Sequence, residues 1–214
     1  MNFRNPLIIA ACFSILLSWS PVTSNAQTLD FSIDGGNSFG NSFDVATGST
    51  TNVEVYLSDV APGTVLSSEG LFGFGLRGDL DSTAAGSVAS ASINPTFDFV
   101  TTDDFNAIAI EWEAAVLANS IPTASSVLLG SFQFNSTGSG VSALTFGDID
   151  PGSTSLEANW LSGFGTELDE SIFGSGSANT FVLSLNSNAV PEPGTASLFV
   201  FGSMVLSAFR RRRQ

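Results

Sequence analysis

The chain has 214 residues, of which 20 are acidic and 6 are basic, and it contains neither histidine nor lysine. Five of the bases lie near its two ends, so residues 27 to 190 hold 19 acids against one base, Arg77, which gives a net charge of −18. A body this acidic is repelled by nucleic acid and by anionic membrane surfaces. Because its single cysteine is Cys12, the body also lacks the residues for a Ser-His-Asp or Cys-His triad, a Schiff base, or a histidine or thiolate zinc site.

Residues 1 to 26 have the three parts of a secretory signal peptide, which include a signal helix. The start is positively charged, residues 7 to 17 are nearly all apolar, and Ser24 and Ala26 supply small residues at the −3 and −1 positions of a cleavage site. We predict export through the Sec translocon and cleavage by signal peptidase between Ala26 and Gln27. An uncleaved membrane anchor is the alternative.

Cys12 ends a stretch, Ile9 to Cys12 in sequence IAAC, that superficially looks like a lipoprotein box. The apolar run continues past this cysteine, and too few apolar residues precede it, so we assign it to the signal peptide. The exported body then has no cysteine, and packing alone holds it together in a compartment where disulfides are allowed.

Short runs of alternating apolar and polar residues fill residues 27 to 188 and favour β-strands. The apolar positions of these runs are Leu29, Phe31, Ile33, Val53, Val55, Leu57, Phe72, Phe74, Leu76, Phe97, Phe99, Phe132, Phe134, Leu144, Phe146, Phe181, Leu183 and Leu185. Clusters of Gly, Ser, Asn, Asp and Pro bound each run and supply turns. Strands with one apolar face bury those faces against one another, so we predict an all-β domain, a two-sheet antiparallel β-sandwich with a phenylalanine-rich core.

Three stretches break the alternation. Residues 101 to 120 begin as an extended segment, and the composition of residues 111 to 119 favours one short helix that packs over an end of the sandwich. Residues 151 to 175 are predicted to form a long loop held in place by aromatic side chains. Residues 35 to 51, rich in Gly, Ser and Asn, are predicted to be a loop or a frayed edge strand.

Paired carboxylates are the one catalytic arrangement that this composition leaves open, since two acids suffice for glycoside hydrolysis. Glu111 with Glu113, or Asp103 with Asp104, are the candidate pairs. We favour the interpretation that they are solvated surface acids, and we predict no catalytic residues.

Calcium is the cofactor that remains possible, because carboxylate oxygens suit this hard cation. Asp79 with Asp81, and Asp148 with Asp150, each place two carboxylates in a predicted loop, although neither stretch matches a twelve-residue EF-hand loop. We favour turn-forming aspartates at strand ends and predict no resident cofactor.

Three aromatic residues, Tyr56, Trp112 and Trp160, could form a sugar-binding platform if they are exposed. Aromatic faces stack on sugars, but burial in the core is the commoner fate of such residues. The platform is therefore a hypothesis, and core packing is its alternative.

Residues 189 to 214 have three parts in a fixed order. Pro191, Glu192 and Pro193 break any preceding strand, residues 195 to 209 are apolar and uncharged, and the chain then ends in a basic cluster. The cluster consists of Arg210, Arg211, Arg212 and Arg213. An uncharged apolar run partitions into lipid and arginines stay on the cytoplasmic side, so we predict a transmembrane helix with a stop-transfer signal.

The apolar run is short for a membrane span. Its 15 residues, at about 1.5 Å each, give roughly 22 Å against a hydrocarbon core of about 30 Å. Arginine snorkelling and local thinning of the bilayer can close the difference. The alternative is a buried C-terminal helix of a soluble domain.

This order of elements resembles the PEP-CTERM sorting signal of Gram-negative bacteria, and Val190, Pro191, Glu192 and Pro193 carry the likeness. The resemblance implies recognition by exosortase, a membrane-embedded protease or transpeptidase, with cleavage at or near these residues. It also implies a link to exopolysaccharide. The short apolar run departs from the family's pattern.

Residues 27 to 188 resemble the cohesin-like or jelly-roll-like β-sandwiches that often precede such signals. Residues 127 to 134 and 141 to 148, with a glycine-rich turn between them, are similar to the late hairpin of those domains. The resemblance implies a cohesin-like fold and an adhesion role.

Together these features predict a non-enzymatic secreted protein with three parts: a signal peptide (1–26), a β-sandwich (27–188) and a sorting signal (189–214). The C-terminal helix anchors it transiently in the inner membrane, and exosortase then passes it to the cell surface or an extracellular matrix that contains exopolysaccharide. One alternative is a cohesin-like adhesion or carbohydrate-binding module, and another is a carboxylate-based glycan hydrolase.

Overall fold

The computed structural model describes residues 27–60, 65–81, 83–117, 122–149, 159–174, 176 and 179–188. The predicted signal helix and the predicted C-terminal membrane helix lie outside these residues. Within the described ranges, no helix is both long and apolar enough to span a bilayer. The described elements are β1 (Gln27–Ser32), β2 (Ser42–Ala46), β3 (Thr50–Asp59), α1 (Val65–Glu69), β4 (Leu71–Leu80), β5 (Gly86–Ile93), β6 (Phe99–Asn106), β7 (Ala109–Ala115), β8 (Ser126–Ser136), β9 (Gly140–Asp148), β10 (Leu161–Ser162), α2 (Asp169–Phe173) and β11 (Phe181–Asn188).

Two sheets form the sandwich. One has the strand order β1-β3-β8-β5, and the other has the order β2-β11-β9-β4-β7-β6, with β10 paired to β4. The all-β sandwich is confirmed. Its strictly antiparallel pairing is wrong at one place, because β2 runs parallel to β11. Alternation shows which side chains are buried but not which strands become neighbours, so the pattern could not reveal this pair.

The core is built from most of the inward positions of the predicted strands. Phe99 is an exception, since it is 60% exposed on β6. Val53, Val55 and Leu57 on β3 have no exposed surface, whereas the residues between them are half-buried. The ring of Phe146 on β9 lies 5.0 Å from that of Phe31 on β1, centroid to centroid, so the aromatic core joins the two sheets. Full burial of each such side chain contributes about 1.5–3 kcal/mol to folding. The prediction of a phenylalanine-rich core is confirmed.

The helix predicted in residues 111 to 119 is wrong for all of its described residues, 111 to 117. Residues 111 to 115 belong to β7, which pairs with β4 on one side and β6 on the other, and residues 116 and 117 are in neither a helix nor a strand. Ile110 and Trp112 on β7 are completely buried in the core. Helix preferences differ by only about 0.7 kcal/mol per residue, so the burial of these alternating side chains outweighs them. Residues 118 and 119 lie outside the described ranges.

The described chain has two short helices where one was predicted. Backbone N–H groups of Leu66 and Ser67 in α1 donate to the Asp59 carboxylate at 3.1 and 3.0 Å, so the end of β3 caps this helix. Helix α2 lies within the predicted aromatic loop, where the Trp160 ring contacts Phe173 at 5.5 Å between centroids. Aromatic anchoring of this loop is confirmed for the described residues 159–174.

The predicted late hairpin is wrong. Strand β8 belongs to the four-stranded sheet and β9 to the other sheet, so residues 137 to 139 cross between sheets. The carbonyl of Ala85 accepts the N–H groups of Thr137 and Gly138 at 2.8 and 3.1 Å, which fixes this connection. Two consecutive strands that flank a glycine-rich turn usually form a hairpin. Here β8 and β9 lie in different sheets, and their apolar faces pack against the core from opposite sides.

The predicted loop or edge strand in residues 35 to 51 is confirmed. It contains β2, an edge strand of the larger sheet, and its last two residues begin β3.

Candidate functional site

The outer face of the four-stranded sheet, here called the polar face, carries mainly hydroxyl and amide side chains. Its central positions are Asn52, Glu54 and Tyr56 on β3, Ser131, Gln133 and Asn135 on β8, and Ser90 and Ser92 on β5. These side chains point away from the core, and each is exposed or half-buried. In a body with a charge of −18, this face carries two described carboxylates, that of Glu54 and that of Asp30 on the neighbouring strand β1, among mostly neutral side chains. Such a face can bind a partner through many hydrogen bonds without desolvating many charges.

Tyr56 and Phe39 form an aromatic pair at one side of the polar face. Their ring centroids are 5.1 Å apart with an edge-to-face orientation, and Phe39 is 47% exposed. The Tyr56 hydroxyl donates to the Glu54 carboxylate at 2.8 Å. Burial raises the pKa of Tyr56 to about 12, and the hydrogen bond to Glu54 adds to the shift. The phenol therefore stays protonated at neutral pH, and the pair can anchor a protein interface, where aromatic residues often dominate affinity.

The loop that presents Phe39 is organised by the Asp34 carboxylate. The Ser38 hydroxyl donates to it at 2.6 Å and the Ser32 hydroxyl at 2.8 Å, and these bonds, Ser38 first, lower the pKa of Asp34 to about 2. Gly36 has φ = +77°, and a Cβ there would lie 2.7 Å from the Tyr56 hydroxyl. Glycine is therefore needed both for the backbone conformation and for the contact with the aromatic pair.

A groove of about 290 Å³ lies beside this pair, between the edge strand β1 and the start of β11. Phe39, Phe181 and Val182 line it together with residues 28 to 31 of β1. The groove has an apolar wall and one carboxylate, that of Asp30. It extends the polar face around the edge of the sandwich.

The acids predicted as possible catalytic pairs are not gathered in a cleft. Glu111 binds Arg77 at 3.1 Å, and Arg77 also binds Asp79 at 2.9 Å, in an exposed cluster on the outer face of the larger sheet. Glu113 lines a shallow cavity of about 170 Å³ that contains no second acid among its described lining residues. These positions match the preferred interpretation of surface acids.

Asp103 and Asp104 lie on the edge strand β6, where both are exposed. As consecutive residues of a strand they point to opposite faces, so they cannot act together on one bond.

In the first calcium candidate, the side chains of Asp79 and Asp81 are bound to other protein groups. Asp79 is engaged by Arg77, and Asp81 accepts the N–H and hydroxyl of Thr83 at 2.8 and 3.0 Å. These bonds lower the pKa of Asp81, as expected for a turn-forming aspartate. In the second candidate, Asp148 is a strand residue that is only 4% exposed, and Asp150 lies outside the described residues. The described part of the chain has no group of three or more side chains suited to a metal ion.

The three-residue sugar-binding platform is wrong. Trp112 and Trp160 have no exposed surface, and the Trp160 Nε1–H donates to the Gly75 carbonyl at 2.7 Å inside the fold. Of the three candidates, Tyr56 alone reaches the surface, on the polar face.

Sequence reasoning missed one titratable residue, Asp169, which begins α2 and is 9% exposed. Burial raises the pKa of its carboxyl to about 6, and the nearby charge of Asp148 contributes. The neighbouring apolar residues Leu168, Ile172 and Phe173 were a signal that this segment is buried, but the sequence analysis made no prediction for Asp169.

The predicted processing sites lie at the limits of the described chain. Val190, Pro191, Glu192, Pro193 and the arginines 210 to 213 are outside it, as is Ala26, so their roles stay predictions. Gln27 is described and its side chain is completely buried, where it accepts the Ser171 hydroxyl at 2.6 Å and donates to Asp59 at 3.4 Å. The sandwich therefore includes the first residue after the predicted cleavage site.

The fold is a cohesin-like β-sandwich. It is similar to a type III cohesin module from the cellulosomal ScaE cell-surface anchoring scaffoldin of Ruminococcus flavefaciens, with a TM-score of 0.50 and 10% sequence identity over 78% of this chain and 90% of that module. At this identity the likeness concerns the fold alone.

A second similar structure is CaCohA2 from Clostridium acetobutylicum, with a TM-score of 0.49 and 13% identity over 77% of this chain and 92% of that one. No model of a known protein family matches the sequence, and no curated protein has significant sequence similarity to it.

Proposed function

We propose that the chain is an exported, non-enzymatic surface protein whose β-sandwich is sorted by exosortase through the C-terminal PEP signal. The observation that supports this proposal is that the described residues nearest the two predicted processing sites belong to paired strands of the sandwich. Strand β1 (Gln27–Ser32) pairs with β3, and β11 (Phe181–Asn188) pairs with β9. Because β11 pairs with both β2 and β9, cleavage at Pro191 to Pro193 would release the sandwich with its last strand in place.

The same proposal assigns the final segment a transient role. The apolar run holds the protein in the inner membrane, the arginine cluster stays in the cytoplasm, and exosortase then releases the sandwich to the cell surface or to an extracellular polysaccharide matrix. The similar ScaE module comes from a cell-surface anchoring scaffoldin, which agrees with a surface location.

Loss of the motif tests the sorting. We expect the double variant P191A/P193A, expressed in the host with its exosortase, to keep the C-terminal arginines and to remain in the membrane fraction. The matched control is P95A, which removes a proline from the turn after β5 and should be processed like the wild type. Mass spectrometry of the C-terminal peptide gives the readout, and normal processing of P191A/P193A would refute the proposal.

The polar face favours a second function, protein binding within a surface assembly. This face consists mainly of neutral polar side chains, and the Tyr56–Phe39 pair supplies an aromatic anchor beside it. A carbohydrate partner is the competing possibility for the same face.

Introduction of a positive charge at one position separates this function from sorting. Gln133→Arg places a long cation at the centre of the polar face, and Thr102→Arg places the same cation on the outer face of the opposite sheet, on its edge strand β6. We expect full-length Gln133→Arg, but not Thr102→Arg, to lose binding to the protein fraction of the host's extracellular matrix in a pull-down. Equal binding by the two variants, or binding only to the polysaccharide fraction, would contradict a protein partner.

A further inference from the structure

The first residue of β1, Gln27, has a polar side chain that is completely buried where β1 meets α2. Its Oε1 accepts the hydroxyl of Ser171 on α2 at 2.6 Å, and that hydroxyl also lies 2.7 Å from the Leu168 carbonyl oxygen. Its Nε2 donates to Asp59 Oδ1 at 3.4 Å, and Asp59 is the residue opposite Gln27 in the pairing of β1 with β3. Both polar atoms of the Gln27 amide are therefore held by other elements of the fold.

The hydrogen bonds of this amide connect parts of the chain that are distant in sequence. Ser171 lies 144 positions after Gln27, and the Asp59 carboxylate also accepts the N–H groups of Leu66 and Ser67 in α1. The amide thus joins the first strand to α2 directly and to α1 through one carboxylate. Buried polar groups depend on such partners, so withdrawal of the amide from its position would break both hydrogen bonds and is unfavourable.

Gln27 becomes the N-terminal residue when the signal peptide is cleaved after Ala26. An N-terminal glutamine can cyclise to pyroglutamate without a co-reactant. The α-amino nitrogen attacks Cδ, the N–Cδ bond forms, the Cδ–Nε2 bond breaks, and ammonia leaves with the proton that the amine loses. The reaction requires the side chain to fold back until Cδ reaches the nitrogen of its own residue.

The folded structure opposes this movement. The Gln27 amide is held between Ser171 and Asp59, and ring closure would break both hydrogen bonds and remove the Nε2 donor altogether. Cleavage before Gln27 leaves the six residue pairs between β1 and β3 in place, so the strand itself is retained. Cyclisation therefore requires local unfolding at the start of β1.

We propose that the fold protects Gln27 from cyclisation, so that the processed protein keeps a free N-terminal glutamine whose amide ties β1 to α2. This inference rests on the proposed cleavage between Ala26 and Gln27. Terminal residues of a domain are usually poorly ordered unless they are tied to the rest of the fold. In a sandwich without disulfides, the buried amide holds the new N-terminus in place.

The rate of ammonia loss tests this protection. Wild-type protein processed by its host is incubated either folded or unfolded in guanidinium chloride, at the same pH and temperature. Mass spectrometry of the N-terminal peptide measures the fraction of chains that have lost one ammonia. We expect Gln27 to cyclise at least about tenfold more slowly in the folded sample, because only locally unfolded molecules react.

Two results would overturn the inference alone: equal rates in the two samples, or folded protein recovered from the host with pyroglutamate at residue 27. A first residue other than Gln27 would instead refute the proposed cleavage site, and the protection of Gln27 with it.

The variant S171A isolates the hydroxyl that binds Oε1. In the folded state we expect it to cyclise about two- to tenfold faster than the wild type, the factor that corresponds to one hydrogen bond, and in guanidinium chloride at the wild-type rate. The matched control is S49A, which removes an exposed hydroxyl that donates to the Ala46 carbonyl at 2.6 Å, just before β3 and at the opposite end of that strand from Asp59. Circular dichroism verifies that both variants are folded. Equal folded-state rates for S171A and S49A would overturn the tie between Gln27 and α2.

Discussion

The Asp169 carboxyl links the stability of the sandwich to pH. Its pKa is raised from 3.8 to about 6, mainly by burial, so the folded state holds this proton more tightly than the unfolded state does. The resulting stabilisation is fully present below about pH 4 and is lost as the pH rises through about 6. We therefore expect the free energy of unfolding of the wild type to fall between pH 4 and pH 7 relative to that of D169N, measured by urea denaturation.

The comparison with D169N isolates this group from the other acids. Asp34, whose pKa is lowered to about 2, acts in the opposite direction, because its contribution is lost as the pH falls below 3.8. The control variant E170Q should keep the wild-type pH dependence. Parallel pH profiles for wild type and D169N would show that Asp169 is solvated in the folded protein.

Gly130 on β8 packs closely against the Trp112 ring and the backbone of β5. A Cβ at this position would lie 2.6 Å from the Ser92 carbonyl oxygen and 3.0 Å from the Trp112 ring. We expect Gly130→Ala to lower the free energy of unfolding by about 1–3 kcal/mol, the usual effect of overpacking. At Gly138 the nearest atom to such a Cβ, that of Ala85, is 4.0 Å away, so Gly138→Ala should change it by less than about 0.5 kcal/mol. Equal effects of the two changes in urea denaturation would contradict this packing.

Among the elements, β6 is the strand most open to self-association. It is an edge strand of the larger sheet, and Phe99, Val100 and Phe105 are 60%, 46% and 45% exposed. Edge strands of this kind pair with other copies unless charges oppose the pairing. In an antiparallel pair of β6 strands, Asp103 and Asp104 would face the same acids of the second copy, which is unfavourable.

Removal of these two charges should therefore allow β6 strands of two copies to pair. We expect D103N/D104N to form dimers or larger species at concentrations where the wild type does not, as measured by light scattering with size-exclusion chromatography. The variant E167Q/E170Q makes the same change in net charge at exposed positions away from β6. If both double variants associate equally, net charge rather than the strand edge controls solubility.

The elements also show how far alternation predicts this fold. It identified β3 and β11, where large apolar residues occur at every second position. It missed β5, whose sequence GSVASASI offers only Val88 and Ile93 as large apolar residues. For β7, helix preferences competed with an alternation of Ile110 and Trp112 that was already visible. Sheet assignment failed at β8 and β9 because it depends on contacts between distant strands.

At the scale of the whole molecule, some candidate sites consist of residues that are adjacent in the sequence, and others depend on contacts between distant residues. The sorting signal is a local motif, so the sequence alone supports a hypothesis with named residues. The burial of Asp169 and the influence of Asp148, 21 positions earlier, on its pKa depend on where α2 packs, which no local pattern reveals. The polar face likewise requires the strand order. The burial of Trp112, by contrast, was predictable, because it shares its face with Ile110.

The central claim is that the sandwich is exported and then separated from both terminal signals. The intact mass of the protein recovered from the surface or extracellular fraction of its host tests this most directly. The account predicts a species that begins at Gln27, ends at or near residues 190 to 193, and lacks the arginine cluster. A cytosolic species that keeps both ends, with the full mass of 22.2 kDa, would contradict it.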